Sequence, residues 1–191
     1  VRNNRVLFLV EAAIFSALAI LLDVLPFLSF KLWAQGGSVS FSMVPVFIMA
    51  FRWGIKGGVV TGLLLGFYQI LAGAYIVTPV QTFLDYIVAF GVIGIAGIVT
   101  KQVWEAAAAR DNKSLLIWIV TGVFVGSLLR FLSHFIAGII FYGTLAPEGM
   151  SVWFYSLTYN GGYMLPTFVL CSIILGLLFI QRPALLTQKG S

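Results

Sequence analysis

The feature that most constrains this chain is the absence of charge over long stretches. Apolar run follows apolar run, with charged residues set singly between them. Only eleven Lys and Arg and six Asp and Glu serve 191 residues, 9% of the chain, against about 25% in a soluble domain. So few charges cannot coat a globule of this size, which excludes a soluble enzyme and a disordered chain. The net charge of +5 does not indicate nucleic-acid binding, because such modules cluster their basic residues on one patch. Isolated charges between apolar runs are the loop charges of a membrane protein.

A membrane-crossing helix needs about 20 mostly apolar residues. By that measure six candidate spans follow one another: about Val6 to Phe27, Ser40 to Phe51, Gly58 to Ala72, Val77 to Val99, Leu115 to Tyr142 and Val152 to Ile180. The second and third are short and are separated only by Arg52-Trp53-Gly54-Ile55-Lys56. They read either as one broken stretch or as two helices. The two charges and the cluster Gly54, Gly57, Gly58 favour a tight turn between two helices. The first span is too long for a signal peptide, contains Glu11 and Asp23, and is followed by no small-residue cleavage site, so it reads as a retained helix.

Positive residues mark the cytoplasmic side. With six spans, nine of the eleven Lys and Arg fall on the side shared by the termini and the even-numbered loops. Lys31 is on the other side and Arg130 is inside the fifth span. The expected fold is therefore an all-α integral membrane protein, a bundle of six transmembrane helices with both termini cytoplasmic, in a single domain over 1–191. The outer links are Leu28 to about Val39, Gly73 to Val77, and Gly143 to Ser151. Lys101 to Lys113 is a cytoplasmic connector, Ala-rich and helix-compatible.

An ionisable residue in hydrocarbon is costly and is a functional candidate by default. Asp85, His134 and Asn160 come to similar depth near the outer face on three successive spans. Gln81 and Asp85 are four apart, on one helical face, as are Arg130 and His134. Aromatics share that level: Trp33 in the first outer loop, Tyr75 in the second, Tyr86 beside Asp85, and Trp153, Tyr155, Tyr159 and Tyr163 around Asn160. Gly138 and Tyr142 follow His134 on the same broad side. A carboxylate, an imidazole and an amide among aromatic faces describe a pocket for a flat, polar or cationic molecule, since ring faces attract cations. Plainer roles stand beside this one: interfacial anchoring for the aromatics, an Asp85–Arg130 ion pair, and helix-packing hydrogen bonds for His134 and Asn160. Tyr155 and Asn160 are five apart, about 140° around an ideal helix. They face one pocket only if the helix is irregular or the pocket wraps it.

Ala13 and Ala17 form a small-residue face on the first span, suited to close approach by another membrane subunit. Gly58, Gly62 and Gly66, and Gly122 and Gly126, suit packing within the bundle. The sequence has no phosphate-binding loop. With one His and the single Cys171 it offers neither a metal site nor a Cys–His catalytic pair. No cofactor and no enzymatic activity are expected.

Several stretches carry a family resemblance: Glu11-Ala-Ala-Ile-Phe-Ser-Ala-Leu-Ala19, Trp33-Ala-Gln-Gly-Gly-Ser38, Ala74-Tyr75-Ile76, Leu84-Asp85-Tyr86, Ser133-His-Phe-Ile-Ala-Gly-Ile-Ile-Phe141 and Tyr155-Ser-Leu-Thr-Tyr-Asn-Gly161. With them the chain resembles the thiamine-specific S-components, the substrate-binding subunits of bacterial energy-coupling factor transporters. The resemblance implies a multi-pass subunit of the bacterial cell membrane that captures thiamine from outside. It implies delivery through a transmembrane coupling protein and two cytoplasmic ATPases, with Ala13 and Ala17 docking the coupling protein. It implies a thiamine site of Trp33, Tyr75, Asp85, Tyr86, His134, Gly138, Tyr142, Tyr155 and Asn160. There Asp85 would meet the cationic or aminopyrimidine end, His134 and Asn160 would bond the heteroatoms, and Trp33, Tyr142 and Tyr155 would stack on the rings. The family also uses Glu at the position of Asp85 and Trp at that of Tyr142. An S-component for riboflavin or hydroxymethylpyrimidine, or an intramembrane enzyme, is the alternative.

Overall fold

The computed structural model describes residues 4–33 and 36–186. Helix α1 spans Asn4–Val24, α2 Met43–Leu71, α3 Pro79–Ala108, α4 Asn112–Phe141 and α5 Val152–Gln181. All five are long and apolar enough to cross a membrane. A short 3-10 turn, Pro183–Leu185, follows α5.

The helix starts are those the side chains dictate. Thr78 accepts the Gln81 backbone N–H at 3.1 Å, with Pro79 in the first turn of α3, where its missing N–H costs nothing. Asp111 caps α4 by accepting from the Lys113 and Ser114 backbones, each at 3.1 Å. Bonds from the Ser114 hydroxyl and backbone hold the Asp111 carboxyl below the usual carboxylate range. Ser151 caps α5 through the Phe154 backbone N–H.

The second and third candidate spans are the two arms of α2. At Gly54 the backbone takes φ 70° and ψ −165°, a region that glycine enters without the Cβ penalty. The arms fold back on each other: a Cβ on Gly58 would lie 2.7 Å from that of Ala50, and one on Gly62 3.5 Å from the Val46 side chain. Each of these pairs is symmetric about residue 54, as in an antiparallel hairpin. At the turn, Arg52 pairs with Glu11 at 2.6 Å and donates to the Leu185 carbonyl at 2.8 Å. The beginning of α1, the Gly54 turn and the segment after α5 therefore meet at one end. Glu11 also accepts from the Trp53 indole at 2.6 Å, so the partly buried carboxylate is well partnered.

The second arm of α2 packs on α3 through glycine. A Cβ on Gly62 would strike the Phe90 carbonyl, one on Gly66 the Tyr86 carbonyl, and one on Gly58 would lie 2.6 Å from the Gly94 Cα. From Val92 to Val99, α3 tightens to 3-10 geometry. Gly91, Gly94 and Gly97 are three apart, the spacing that eclipses in such a helix. All three face α2, at Leu63, Val59 and the Gly54–Ile55 peptide respectively. The core inside this wall is Phe47, Phe51, Leu65, Ile93, Ile119, Leu175 and Phe179.

One expectation needs qualification. The first outer loop is not irregular: β1 (Ser29–Trp33) and β2 (Gly36–Ser40) form an antiparallel hairpin with Ser29 opposite Ser40 and Phe30 opposite Val39. The description as all-α therefore holds for the membrane-crossing elements only. The Ala-rich connector, expected to be helix-compatible, is helical through Ala108, where Thr100–Ala108 extends α3 without a break.

The glycine contacts predict opposite outcomes for two substitutions. Gly62→Ala drives a methyl into the Phe90 carbonyl and should destabilise by about 1–3 kcal/mol, the range for overpacking. Gly161→Ala meets nothing within 4 Å and should leave stability unchanged or raise it. Thermal unfolding of the two variants in detergent distinguishes these outcomes.

Candidate solute-binding site

The hairpin end of the bundle holds a cavity of about 590 Å³. Every helix reaches it: Asp23 from α1, Tyr68 and Gln69 from α2, Asp85, Tyr86 and Phe90 from α3, Arg130, His134 and Gly138 from α4, and Tyr155, Ser156, Tyr159, Asn160 and Tyr163 from α5. Tyr75 and Tyr142 enter from the adjoining links, and β2 contributes Gly37 and Ser38.

Asp85 lies on a π-helical turn, Phe83–Val88, inside α3. Such single wide turns recur at functional sites. Across the gap, the Ser133 hydroxyl donates to the Leu84 carbonyl at 2.8 Å, which fixes α4 beside that turn. The Asp85 carboxylate then accepts three protein donors: His134 Nδ1 at 3.0 Å, Gln81 Nε2 at 2.7 Å and the Tyr142 hydroxyl at 3.1 Å. Arg130 Nε donates to His134 Nε2 at 3.4 Å, a long bond. Because Arg130 has only donors, His134 Nε2 must accept, and the ring proton then sits on Nδ1, facing Asp85. The imidazole is neutral and fixed in one tautomer.

Arg130 therefore reaches Asp85 through His134. The direct Asp85–Arg130 ion pair considered from sequence is not formed; the guanidinium lies instead over the Phe90 ring, 4.3 Å from its centroid. Gln81 is fully buried and ties the link before α3 to the site. Besides donating to Asp85, it donates to the Tyr75 carbonyl at 3.2 Å and accepts the Val77 N–H at 2.9 Å. Tyr75 in turn donates its N–H to the Tyr86 hydroxyl at 3.1 Å and packs its ring 6.1 Å from that of Tyr142.

Asn160 is held as firmly. Its amide donates to the Ser156 carbonyl at 2.9 Å and the Ser156 hydroxyl at 3.2 Å, and its oxygen accepts from Tyr163 at 2.8 Å. Gly138 makes room for this group: a Cβ there would strike Ser156 Oγ and lie 3.3 Å from Asn160 Nδ2. The angular problem of Tyr155 and Asn160 resolves without any break in α5. Tyr155 and Tyr159 form one edge of the lining, Ser156, Asn160 and Tyr163 the adjacent edge, and the cavity wraps both.

Of the residues singled out from sequence, Tyr75, Asp85, Tyr86, His134, Gly138, Tyr142, Tyr155 and Asn160 all line this cavity. The Trp33 side chain lies outside the described residues. Trp153 points elsewhere: it is 64% exposed and packs edge-on against Phe135, as an interfacial anchor does. Sequence reasoning did not assign Asp23, Tyr68 or Gln69 to the lining. Asp23 carried a usable signal, an ionisable group near the outer end of its span.

Apolar helices closed around a polar, aromatic-lined chamber define a multi-pass membrane protein that handles a small solute. The sequence pattern of the family described as thiamine transporter protein (Thia_YuaJ) matches residues 9–187. The chain is 47% identical over 188 residues to the thiamine transporter ThiT of Bacillus subtilis (strain 168), covering 97% of this chain and 96% of that protein. It is 27% identical over 192 residues to the thiamine transporter ThiT of Lacticaseibacillus paracasei, covering 98% and 94% respectively. A solved structure of ThiT from Listeria monocytogenes matches with a TM-score of 0.89 at 33% identity, covering 97% of this chain and all of that one. The chain belongs to the thiamine transporter protein family. It is a bacterial membrane transporter, not an enzyme.

The Asn160 network predicts a stability effect independent of any ligand. Asn160→Ala leaves the buried Tyr163 hydroxyl without its acceptor and should cost about 1–3 kcal/mol, as an unsatisfied buried group does. Chemical denaturation of the unliganded protein in detergent measures it.

Proposed function

We propose that this chain is the substrate-capture subunit of an energy-coupling factor importer, binding thiamine from the outer side of the bacterial membrane. One observation carries the reading: a carboxylate fixed by three protein donors stands in a cavity walled by tyrosines. Thiamine has two planar aromatic rings joined by a methylene group and bears a permanent thiazolium charge, which suits a buried anion flanked by ring faces. The names of the relatives support the same ligand.

In this reading Asp85 supplies the countercharge, and Tyr75, Tyr86, Tyr142 and Tyr155, with Trp33 from the hairpin, enclose the rings. His134 serves through its ring face, both its nitrogens being occupied. Asn160 offers the remaining acceptor capacity of its oxygen, and Gly138 keeps that amide in place. The single membrane domain has six spans, the two arms of α2 counting separately, with both termini cytoplasmic. The fold-back at Gly54, the meeting of Glu11, Arg52 and Leu185 and the lopsided positive charge support that topology. Ala13 and Ala17 are exposed on α1, while Ala12, Ser16 and Ala19 face the bundle. This free small-residue face suits docking by a coupling protein, which with two ATPases would power release.

Titration of the purified protein with thiamine, without ATP, should quench tryptophan fluorescence and raise the melting temperature. Absence of both effects would sink the assignment. Asp85→Asn should weaken binding by about 1.5–3 kcal/mol, the range for a hydrogen bond to a charged group. Ala13→Trp should leave thiamine affinity intact and abolish uptake by cells; if uptake persists, this face does not dock the coupling protein.

A further inference from the structure

The acceptors facing the cavity differ in how far protein donors already fill them. Asp85 takes three such donors, and the Asn160 oxygen takes that of Tyr163. A second carboxylate, Asp23, stands on the wall built by α1, α2 and β2 and is less completely filled. Its Oδ2 accepts from Gln69 Nε2 at 2.7 Å. Its Oδ1 has the Ser40 hydroxyl at 3.5 Å, but that same hydroxyl lies 3.0 Å from Ser42 Oγ. A hydroxyl has one proton, and the shorter contact claims it. Ser42, whose own proton that contact leaves free, hydrogen-bonds to the Asp23 carboxylate. An ionised carboxyl has about four lone-pair sites, so Asp23 keeps acceptor capacity at the cavity surface.

Asp23 is not held by an ion pair either. Among the described residues it forms no salt bridge. The one guanidinium lining the cavity, Arg130, interacts electrostatically with both Asp23 and Asp85. Two carboxyl groups thus share one guanidinium in the described lining. Apart from Tyr68 on α2, the aromatic faces gather on the other wall: Tyr155 and Tyr159, 5.7 Å apart, and Tyr142 beside Asp85. A ligand whose rings rest there presents only a flexible arm to the wall of α1 and α2.

We propose that Asp23, held in place by Gln69, is a second recognition group of the cavity and accepts the hydroxyl proton of the ligand's alcohol arm. The proposal rests on the thiamine reading, whose ligand carries a two-carbon alcohol on its thiazolium ring. Asp85 reads the charge and Asp23 the alcohol. Gln69 Nε2 and the Ser42 hydroxyl hold the carboxylate in place and leave part of its acceptor capacity facing the cavity.

The test compares thiamine with the analogue in which the hydroxyethyl arm is replaced by ethyl, titrated by fluorescence against the full-length protein in detergent. The unsubstituted protein should favour thiamine by about tenfold or more, and Asp23→Ala should erase that preference, losing about tenfold or more for thiamine. Its affinity for the ethyl analogue should move by less than about threefold, which also shows that the variant is folded. Should Asp23→Ala fail to fold, the isosteric Asp23→Asn carries the same comparison, with a smaller loss confined to thiamine. Equal weakening of both ligands, or of neither, overturns the proposal. Equal binding of both by the unsubstituted protein sinks the subsite alone, whereas binding of neither sinks the thiamine reading.

Discussion

A carboxylate inside a membrane protein is costly unless donors or a polar cavity meet its lone pairs, because hydrocarbon supplies no donors and the cost of an unpaired buried charge is several kcal/mol or more. Asp85 meets that condition with three donors from three places: the α4 imidazole, the Gln81 amide one turn earlier on α3, and the Tyr142 hydroxyl beyond the end of α4. Each partner is itself tied down. Arg130 fixes the imidazole, the Tyr75–Val77 link fixes the amide, and the Tyr75 ring backs Tyr142. Satisfying one charge has thereby ordered one side of a cavity, and its preorganisation follows from solvation physics.

The scaffold that permits this is made by close approach. The donors bridge helices, so the helices must pack to within hydrogen-bond reach of one another. Glycine supplies that closeness at Gly58, Gly62 and Gly66 against the backbone of α3, and again at Gly126, where a Cβ would lie 2.8 Å from the Ile93 carbonyl. In a bilayer, where apolar burial against lipid gains little, such backbone contact and interhelical hydrogen bonding carry association. Thr100 shows the same closeness at the other end, its hydroxyl lying between the Gly97 carbonyl at 2.7 Å and the Ala50 carbonyl at 2.9 Å across the α2–α3 contact. The π turn at Phe83–Val88 and the tightened segment at Val92–Val99 are the local departures by which α3 suits both neighbours at once.

What the sequence made legible follows from which forces act locally. Apolar length defines a span residue by residue, so α1, α4 and α5 come out with their bounds shifted by only a few positions. Depth within a span is also countable, which is why Asp85, His134 and Asn160 fall in one cavity. The β-hairpin escaped because Ser29-Phe-Lys-Leu-Trp33 and Gly36-Gly-Ser-Val-Ser40 are short, and strand pairing is a contact between segments that neither announces alone. The Asp85–Arg130 alternative failed for a similar reason. Two charges at similar depth are natural partners on paper, but the side-chain path decides, and here His134 stands between them. Asp23 was visible as a charge near the end of its span, yet its membership in the cavity depends on how α1 leans against α2, which no periodicity encodes.

The same accounting assigns different work to the polar residues. His134 has both nitrogens engaged, and the Asn160 amide protons are spent on Ser156. Neither has a donor left for a ligand without first breaking an internal bond, and a buried bond broken without replacement costs more than a ligand bond returns. A ligand thus finds in these groups a shaped wall and a ring face, in Asp85 a charge already held still, and in the tyrosines the apolar contact area. On the proposed reading, selectivity for a cation with aromatic rings rests on that fixed carboxylate and the surrounding π faces.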